Sequence, residues 1–128
     1  MYDTTMITYD DFKKVEIRAG KILSAEKIPD TDKLLKLSVD FAEQKETLLE
    51  DGTKNVQPAP RQIVSGISMY FPDPATLVGK TCMFVTNLEP RTIKGYESNG
   101  MLFAVSDANG NFSLLEPNSS IVPGTKAA

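Results

Sequence analysis

Apolar and polar side chains alternate strictly over residues 35–41, and this pattern constrains the fold more than any other feature of the chain. The apolar positions are Leu35, Leu37, Val39 and Phe41, and the polar positions between them are Lys36, Ser38 and Asp40. Successive side chains of a strand point to opposite faces of its sheet, so a period of two predicts a strand with one buried face. The segment therefore predicts a half-buried β-strand.

Four further segments have the apolar character of strands. Residues 15–23 alternate but lose their phase around Gly20, which indicates a long strand bent at that glycine. The other three cover residues 62–66, 81–86 and 101–105, and a turn at 107–111 leads from the last of them to an apolar segment at 112–115.

Two short helices are predicted outside the strands. Thr8 precedes Asp11 by three residues, the spacing of a capping box, and Ile7 is placed to pack against Phe12. Residues 72–79 begin with prolines and end with a glycine, which predicts a small helix.

The connection over residues 43–60 is the least determined part of the chain. It is acidic at first and then rich in asparagine, glutamine and proline. Its first half, residues 43–49, fits a single helical turn or an extended hairpin arm, and the sequence does not distinguish the two.

Five principal strands, the first long and bent, with a short helix between the third and fourth, form the order expected of an OB-fold barrel. The pattern alone also fits other small antiparallel barrels. A length of 128 residues predicts one domain spanning 1–128, with short extensions at both ends of an all-β barrel.

The chain contains no histidine and a single cysteine, Cys82. The absence of histidine excludes histidine-dependent catalysis, and zinc would need a rare all-carboxylate site. Cys82 lies in an apolar run and is interpreted as a small buried hydrophobe, and Asp30 and Asp32 as solvated turn residues. We therefore predict no catalytic residue, no metal and no cofactor.

Residues 1–5 do not resemble a secretory signal, and no apolar run approaches the roughly 20 residues that span a bilayer. We expect a cytoplasmic protein without membrane association. The net charge of −3 opposes nucleic-acid binding through bulk charge. Within residues 43–51, however, four acidic residues outnumber one lysine by three, so the rest of the chain is neutral and any binding needs a focused basic patch.

Four blocks in fixed order resemble the tRNA-binding domain family, which occurs alone in bacteria, at the C-terminus of methionyl-tRNA synthetases and in multisynthetase accessory factors. The blocks are residues 12–22, 32–35, 61–67 and 87–101, followed by a closing 122–126. The resemblance implies a non-catalytic, homodimeric OB-fold protein that recognises tRNA by its shape. It also implies a dimer interface built from the terminal segments. A further implied partner is an aminoacyl-tRNA synthetase, namely a methionyl-tRNA synthetase.

Nine residues are predicted to bind tRNA. They are Arg18, Lys33, Arg61, Ser65, Asn87, Arg91, Lys94, Ser98 and Met101. Arginine matches phosphate oxygens with two parallel hydrogen bonds, and lysine supplies a point charge. By resemblance Ser98 and Met101 contact RNA, and core packing competes for Met101. Asn87 is interpreted as an organiser of the local backbone rather than a base reader.

Aromatic stacking is the other way in which OB folds hold nucleic acids. Tyr70, Phe71 and Tyr96 are the candidates, and Tyr96 alone lies among the predicted phosphate contacts.

Two other functions fit the sequence. One is a chaperone-like or protein-binding dimer, because a relative with the same barrel is associated with secretion and because the chain is acidic. The other is a separated C-terminal module of a methionyl-tRNA synthetase, although the start at Met1 and the length favour an independent protein.

Overall fold

A five-stranded antiparallel sheet, curled into a nearly closed barrel, forms the body of the protein in the computed structural model. The structure describes residues 5–127, so residues 1–4, to which the prediction about a secretory signal refers, lie outside the described part. The elements are α1 (Tyr9–Phe12), β1 (Ile17–Lys27), β2 (Leu35–Asp40), β3 (Gln44–Leu48), β4 (Lys54–Pro58), β5 (Arg61–Ser65), β6 (Thr81–Val85), β7 (Arg91–Ile93), β8 (Tyr96–Ser98), β9 (Met101–Leu102), β10 (Ala104–Ser106) and β11 (Phe112–Leu114).

The barrel strands lie in the order β5, β2, β1, β6, β9, which confirms the predicted OB-type barrel. The two edges approach each other where Asn99 N donates a hydrogen bond to Gln62 O over 2.8 Å. Two short 3₁₀ segments, Ser68–Tyr70 and Pro74–Leu77, separate the third and fourth barrel strands. The second begins with proline and is followed by Gly79 at φ 90°, as predicted, although it is 3₁₀ rather than α-helical.

The structure confirms the half-buried strand that the alternation over residues 35–41 predicted, as β2. Leu35, Leu37 and Val39 are fully buried, and the polar residues between them are half-buried. At the end of the strand the Phe41 ring packs edge-on against Phe84, with 5.3 Å between ring centroids. These side chains form the centre of the core.

Strand β1 is long and irregular: residues 17–21 pair with β6 and residues 21–27 pair with β2. Its register against β2 shifts between Ile22 and Ser24. Gly20 also has a packing function: a Cβ there would lie 2.5 Å from the Phe41 ring and 2.6 Å from Val39. The glycine therefore allows close packing of the core against β1.

The connection after Phe41 is an extended hairpin arm, β3 paired with β4, rather than a helical turn. Nearly all of its side chains are exposed, including Leu48 at 76% and Val56 at 47%. Its turn is stabilised by Asp51, whose carboxylate accepts hydrogen bonds from the backbone and side chain of Thr53.

The predicted single strand over residues 101–105 is wrong in detail. It is divided into β9, which pairs with β6, and β10, which pairs with β11. Phe103 lies between them and donates its backbone N–H to Met83 O over 3.0 Å. The chain thus leaves the barrel after Phe103.

Helix α1 begins at the predicted capping box, since Asp11 N donates to Thr8 Oγ1 and Thr8 N donates to Asp11 Oδ2. Over residues 5–127, no helix is long and apolar enough to cross a membrane. The same residues contain no group of three or more histidine, cysteine, aspartate or glutamate side chains arranged to hold a metal ion.

Candidate functional site

A short hairpin, β7 paired with β8, projects beside the end of the barrel. Its turn residues Lys94 and Gly95 both have positive φ, 52° and 85°. Positive φ at both central positions is the condition for a tight two-residue hairpin turn, and Gly95 adopts it without steric cost. The turn holds Lys94 at the exposed tip of the hairpin.

A groove of about 510 Å³ runs between this hairpin and the barrel. It brings together three of the predicted site residues, Arg91, Ser98 and Met101. The remaining lining residues are Val64, Leu88, Glu89, Ile93 and Gly100. The groove therefore combines an apolar wall with one exposed guanidinium group and one carboxylate.

The structure distinguishes the two predicted roles of Met101, which are RNA contact and core packing. Met101 is 45% exposed, whereas the next residue, Leu102, is buried. Core packing is therefore wrong for Met101, because the side chains of β9 alternate and Leu102 takes the inward position.

A second depression, of about 440 Å³, is lined by the turn end of the hairpin and by residues 30–34. It brings together Lys33 and Lys94, and it shares Ile93 with the first groove. Asp30 and Asp32 also line it, so it is not uniformly basic. We refer to Lys33, Arg91, Lys94 and Met101, with the two depressions, as the hairpin surface.

The cations of the hairpin surface are electrostatically available. Within residues 5–127, no ion pair involves Lys33, Arg91 or Lys94. All three are exposed. A cation without a carboxylate partner can bind an anion without first breaking an existing pair.

Ser98 has a structural position in the groove. It is only 5% exposed, and its Oγ accepts a hydrogen bond from Val64 N over 3.0 Å and donates one to Gly100 O over 3.1 Å. The hydroxyl group thus attaches the hairpin to β5 and fixes the chain that leads to Met101.

The structure places Arg61 in the framework beneath the site rather than in the groove. Its guanidinium group donates two hydrogen bonds to Glu43 and two more to the carbonyl groups of Thr86 and Asn99. The hydrogen bonds to Glu43 raise the pKa of Arg61 above its ordinary value. Four of the five N–H donors of this side chain thus have a protein partner.

Arg18 likewise lies away from the hairpin surface. Its Nε is 2.7 Å from Glu16 Oε1, and its Nη1 donates to Gly124 O over 3.1 Å. The hydrogen bonds from Arg18 and then from Thr86 lower the pKa of Glu16 to about 2. Arg18 thus attaches the C-terminal segment to the first strand.

Asn87 is the backbone organiser that the sequence indicated. Its Oδ1 accepts a hydrogen bond from Glu16 N over 2.8 Å, and its Nδ2 donates to Lys14 O. Ser65, at the end of β5, is half-buried and pairs with Leu35 across the sheet. Neither residue lines the groove.

The apolar wall of the groove was missed by the sequence interpretation. Leu88 and Ile93 lie inside the block of residues 87–101, but nothing in the sequence distinguishes them from ordinary apolar residues. Cys82 is buried, as predicted, and burial raises the pKa of its thiol to about 11, so it is not a nucleophile at neutral pH.

Comparison with known proteins assigns the chain to a family. The family model described as "Putative tRNA binding domain" matches residues 17–126. The methionine–tRNA ligase of Methanoregula boonei is 46% identical over 96% of this chain, and that of Porphyromonas gingivalis is 38% identical over 94%. The chain spans only 16% and 15% of the length of these two relatives.

Solved structures agree over nearly the whole chain. A MetRS-related protein from Pyrococcus horikoshii superposes with a TM-score of 0.78 at 32% identity, covering 98% of this chain and 100% of that protein. The CsaA chaperone of Bacillus anthracis gives a TM-score of 0.73 at 25% identity, covering 97% of this chain and 100% of its own.

Proposed function

Since the chain belongs to the tRNA-binding domain family, we propose that it binds tRNA through the hairpin surface and catalyses no reaction itself. The observation that carries this proposal is the convergence of Arg91, Met101, Lys33 and Lys94 on two adjoining depressions. These residues come from three separate segments of the chain, and the fold brings them to one exposed surface.

The chemistry of the hairpin surface fits a folded RNA better than a base sequence. Arg91 can hold a phosphate with two parallel hydrogen bonds, and Lys33 and Lys94 add point charges. Met101 and Ile93 offer apolar contact to a ribose or an unstacked base. Phosphate and apolar contacts of this kind position an RNA without reading its sequence.

The site has few positive charges, so we expect weak electrostatic steering and a small number of phosphate contacts. Glu89 lines the same groove as Arg91, and Asp30 and Asp32 line the depression with Lys33. Among the other predicted residues, Ser98 lines the groove with a hydroxyl group that already bonds to Val64 and Gly100, and Arg61 is paired with Glu43. A single copy should therefore bind tRNA weakly.

A homodimer would compensate for a weak single site, because two linked sites raise the overall affinity when one tRNA reaches both. An apolar depression of about 420 Å³, lined by Tyr9, Phe12, Val15 and Ile17 and by the C-terminal Lys126 and Ala127, supports such an assembly. Two apolar residues that precede α1 in the chain are also exposed, Met6 at 78% and Ile7 at 64%. Surfaces of this kind are typical of protein contacts.

The relatives are methionine–tRNA ligases, so we propose that the chain serves a methionyl-tRNA synthetase in the cytoplasm, as a part of that enzyme or as a separate partner. The aminoacylation reaction would then belong to the larger enzyme. The domain's contribution would be a lower Michaelis constant for tRNA.

A titration of labelled bulk tRNA at 50 and 200 mM salt, with sedimentation of the free protein, tests the proposal. We expect a complex at low salt that weakens several-fold at high salt, and a sedimentation mass of two chains. No complex with tRNA at 50 mM salt would reject tRNA binding. A monomer that still binds would reject only the dimer.

The second candidate function is protein binding of the chaperone type. The likeness to the CsaA chaperone and the exposed Leu48 and Val56 of the β3–β4 arm favour it. Suppression of aggregation of a heat-unfolded protein, with and without excess tRNA, separates the two functions. Suppression that tRNA does not affect would assign protein binding to a different surface.

A further inference from the structure

We propose that Tyr70 is a stacking platform for one base of the bound tRNA, beside the hairpin surface. This inference rests on the proposed function and extends its site to a residue outside the recognised blocks. The ring of Tyr70 lies parallel to that of Phe112, with centroids 4.0 Å apart and an interplanar angle of 9°.

Two phenylalanines that pack against the core hold the Tyr70 ring in place. Phe71 meets Phe112 edge-on, with centroids 5.8 Å apart, and both phenylalanines pack against the buried core. Phe112 therefore fixes one face of the Tyr70 ring. A ring that is already oriented loses little conformational freedom when a base stacks on it.

The tyrosine ring is also accessible. Tyr70 is 37% exposed although Phe112 covers one face of its ring. It borders an open depression of about 500 Å³. Lys80 lies in this depression, but it is paired with Glu116 over 3.5 Å.

Tyr70 adjoins the hairpin surface through Lys33. Ser68 N, two residues before Tyr70, donates a hydrogen bond to Lys33 O over 3.0 Å. The segment that carries Tyr70 is thus attached to the segment that carries Lys33, a cation without an ion pair, and this combination fits an RNA strand with a phosphate on Lys33 and a base on Tyr70.

The other tyrosines of residues 5–127 are less suitable. Tyr96 is half-buried, and the ammonium group of Lys36 lies over its ring, 5.4 Å from the centroid. Tyr9 lies on α1, where Lys13 is 5.6 Å from the ring centroid, and it borders the apolar depression that we assign to the dimer. The structure thus favours Tyr70 over Tyr96, the residue that the sequence favoured.

The test compares Tyr70→Leu with Tyr70→Phe in tRNA titrations of the full chain. Tyr70→Phe keeps the aromatic face and should bind as the wild type does. Tyr70→Leu removes that face and should weaken binding on the order of ten-fold. Urea unfolding of both variants checks that the fold is retained.

A fluorescence measurement gives a readout that a purely structural role would not change. The chain has no tryptophan, so Tyr70→Trp introduces a single indole. Saturating tRNA should quench its emission and protect it from acrylamide, whereas a Leu48→Trp control, on the exposed β3–β4 arm, should show neither effect.

The outcomes separate the two proposals. If the wild type binds tRNA but Tyr70→Leu binds equally well and the indole at position 70 is unaffected, the stacking platform is rejected and the proposed function stands. If the wild type does not bind tRNA, both are rejected.

Discussion

Arg61 and Glu43 form a two-pronged ion pair, with Nε 2.7 Å from Oε1 and Nη2 2.8 Å from Oε2. The same guanidinium group donates to Thr86 O over 2.6 Å and to Asn99 O over 3.2 Å. It also lies 5.4 Å from the centroid of the Phe41 ring. One side chain thus connects the base of the β3–β4 arm, the end of β6 and the loop before β9.

Arg61→Ala should lower the free energy of unfolding by about 2–4 kcal/mol, because it leaves a carboxylate and two carbonyl groups without their charged donor. Urea denaturation measures the change. Arg61→Lys should recover only a part, since an ammonium group cannot reproduce the planar fork. Full recovery by lysine would show that the charge alone matters.

Arg91→Ala should weaken tRNA binding on the order of ten-fold and reduce the slope of log affinity against log salt by about one. The reason is the loss of one phosphate contact by a cation that has no ion pair. Titrations at four salt concentrations give the slope. The matched control is Lys45→Ala, an exposed cation of the β3–β4 arm, which should leave the slope unchanged. Equal slopes for wild type and Arg91→Ala would exclude Arg91 from the interface.

Ser98→Ala should cost about 1–3 kcal/mol of stability, because Val64 N loses its buried acceptor. It should also weaken tRNA binding, since the hydroxyl group holds the chain that positions Met101. Ser65→Ala, at a half-buried serine at the end of β5, should change stability by less than about 0.5 kcal/mol. Comparable unfolding curves for the two variants would contradict the structural role of Ser98.

Glu16 should make stability depend on pH in the acid range. Its pKa falls from 4.5 to about 2 because Arg18 and Thr86 donate hydrogen bonds to the carboxylate. The folded pKa is the lower one, so this stabilisation is complete above pH 4.5 and disappears as the pH falls towards 2. Urea unfolding of wild type and Glu16→Gln between pH 7 and 2.5 should show a difference that narrows in acid. A constant difference would show that Glu16 acts through neutral contacts.

The acidic arm illustrates what pattern analysis leaves open. Residues 43–49 carry no clear period, so helix and hairpin were equally compatible with them. The choice depends on pairing between residues that are distant in sequence: Thr47 lies opposite Asn55, and Glu46 opposite Val56. Glu43 at its base carries the charge that holds Arg61, which the count of acidic residues could not distinguish from the exposed charges further along.

The sequence by itself determined the barrel and the family, because strict alternation in β2, the capping box at Thr8 and the ordered motif blocks are local properties of neighbouring residues. Only the tertiary structure decided which charged residues are free. Arg18 and Arg61 resemble Arg91 in sequence, yet their guanidinium groups are taken by Glu16 and Glu43. Whether a cation is paired depends on contacts made in the folded chain. The stacking of Tyr70 on Phe112 likewise joins two residues that are distant in sequence, so only the folded chain brings them together.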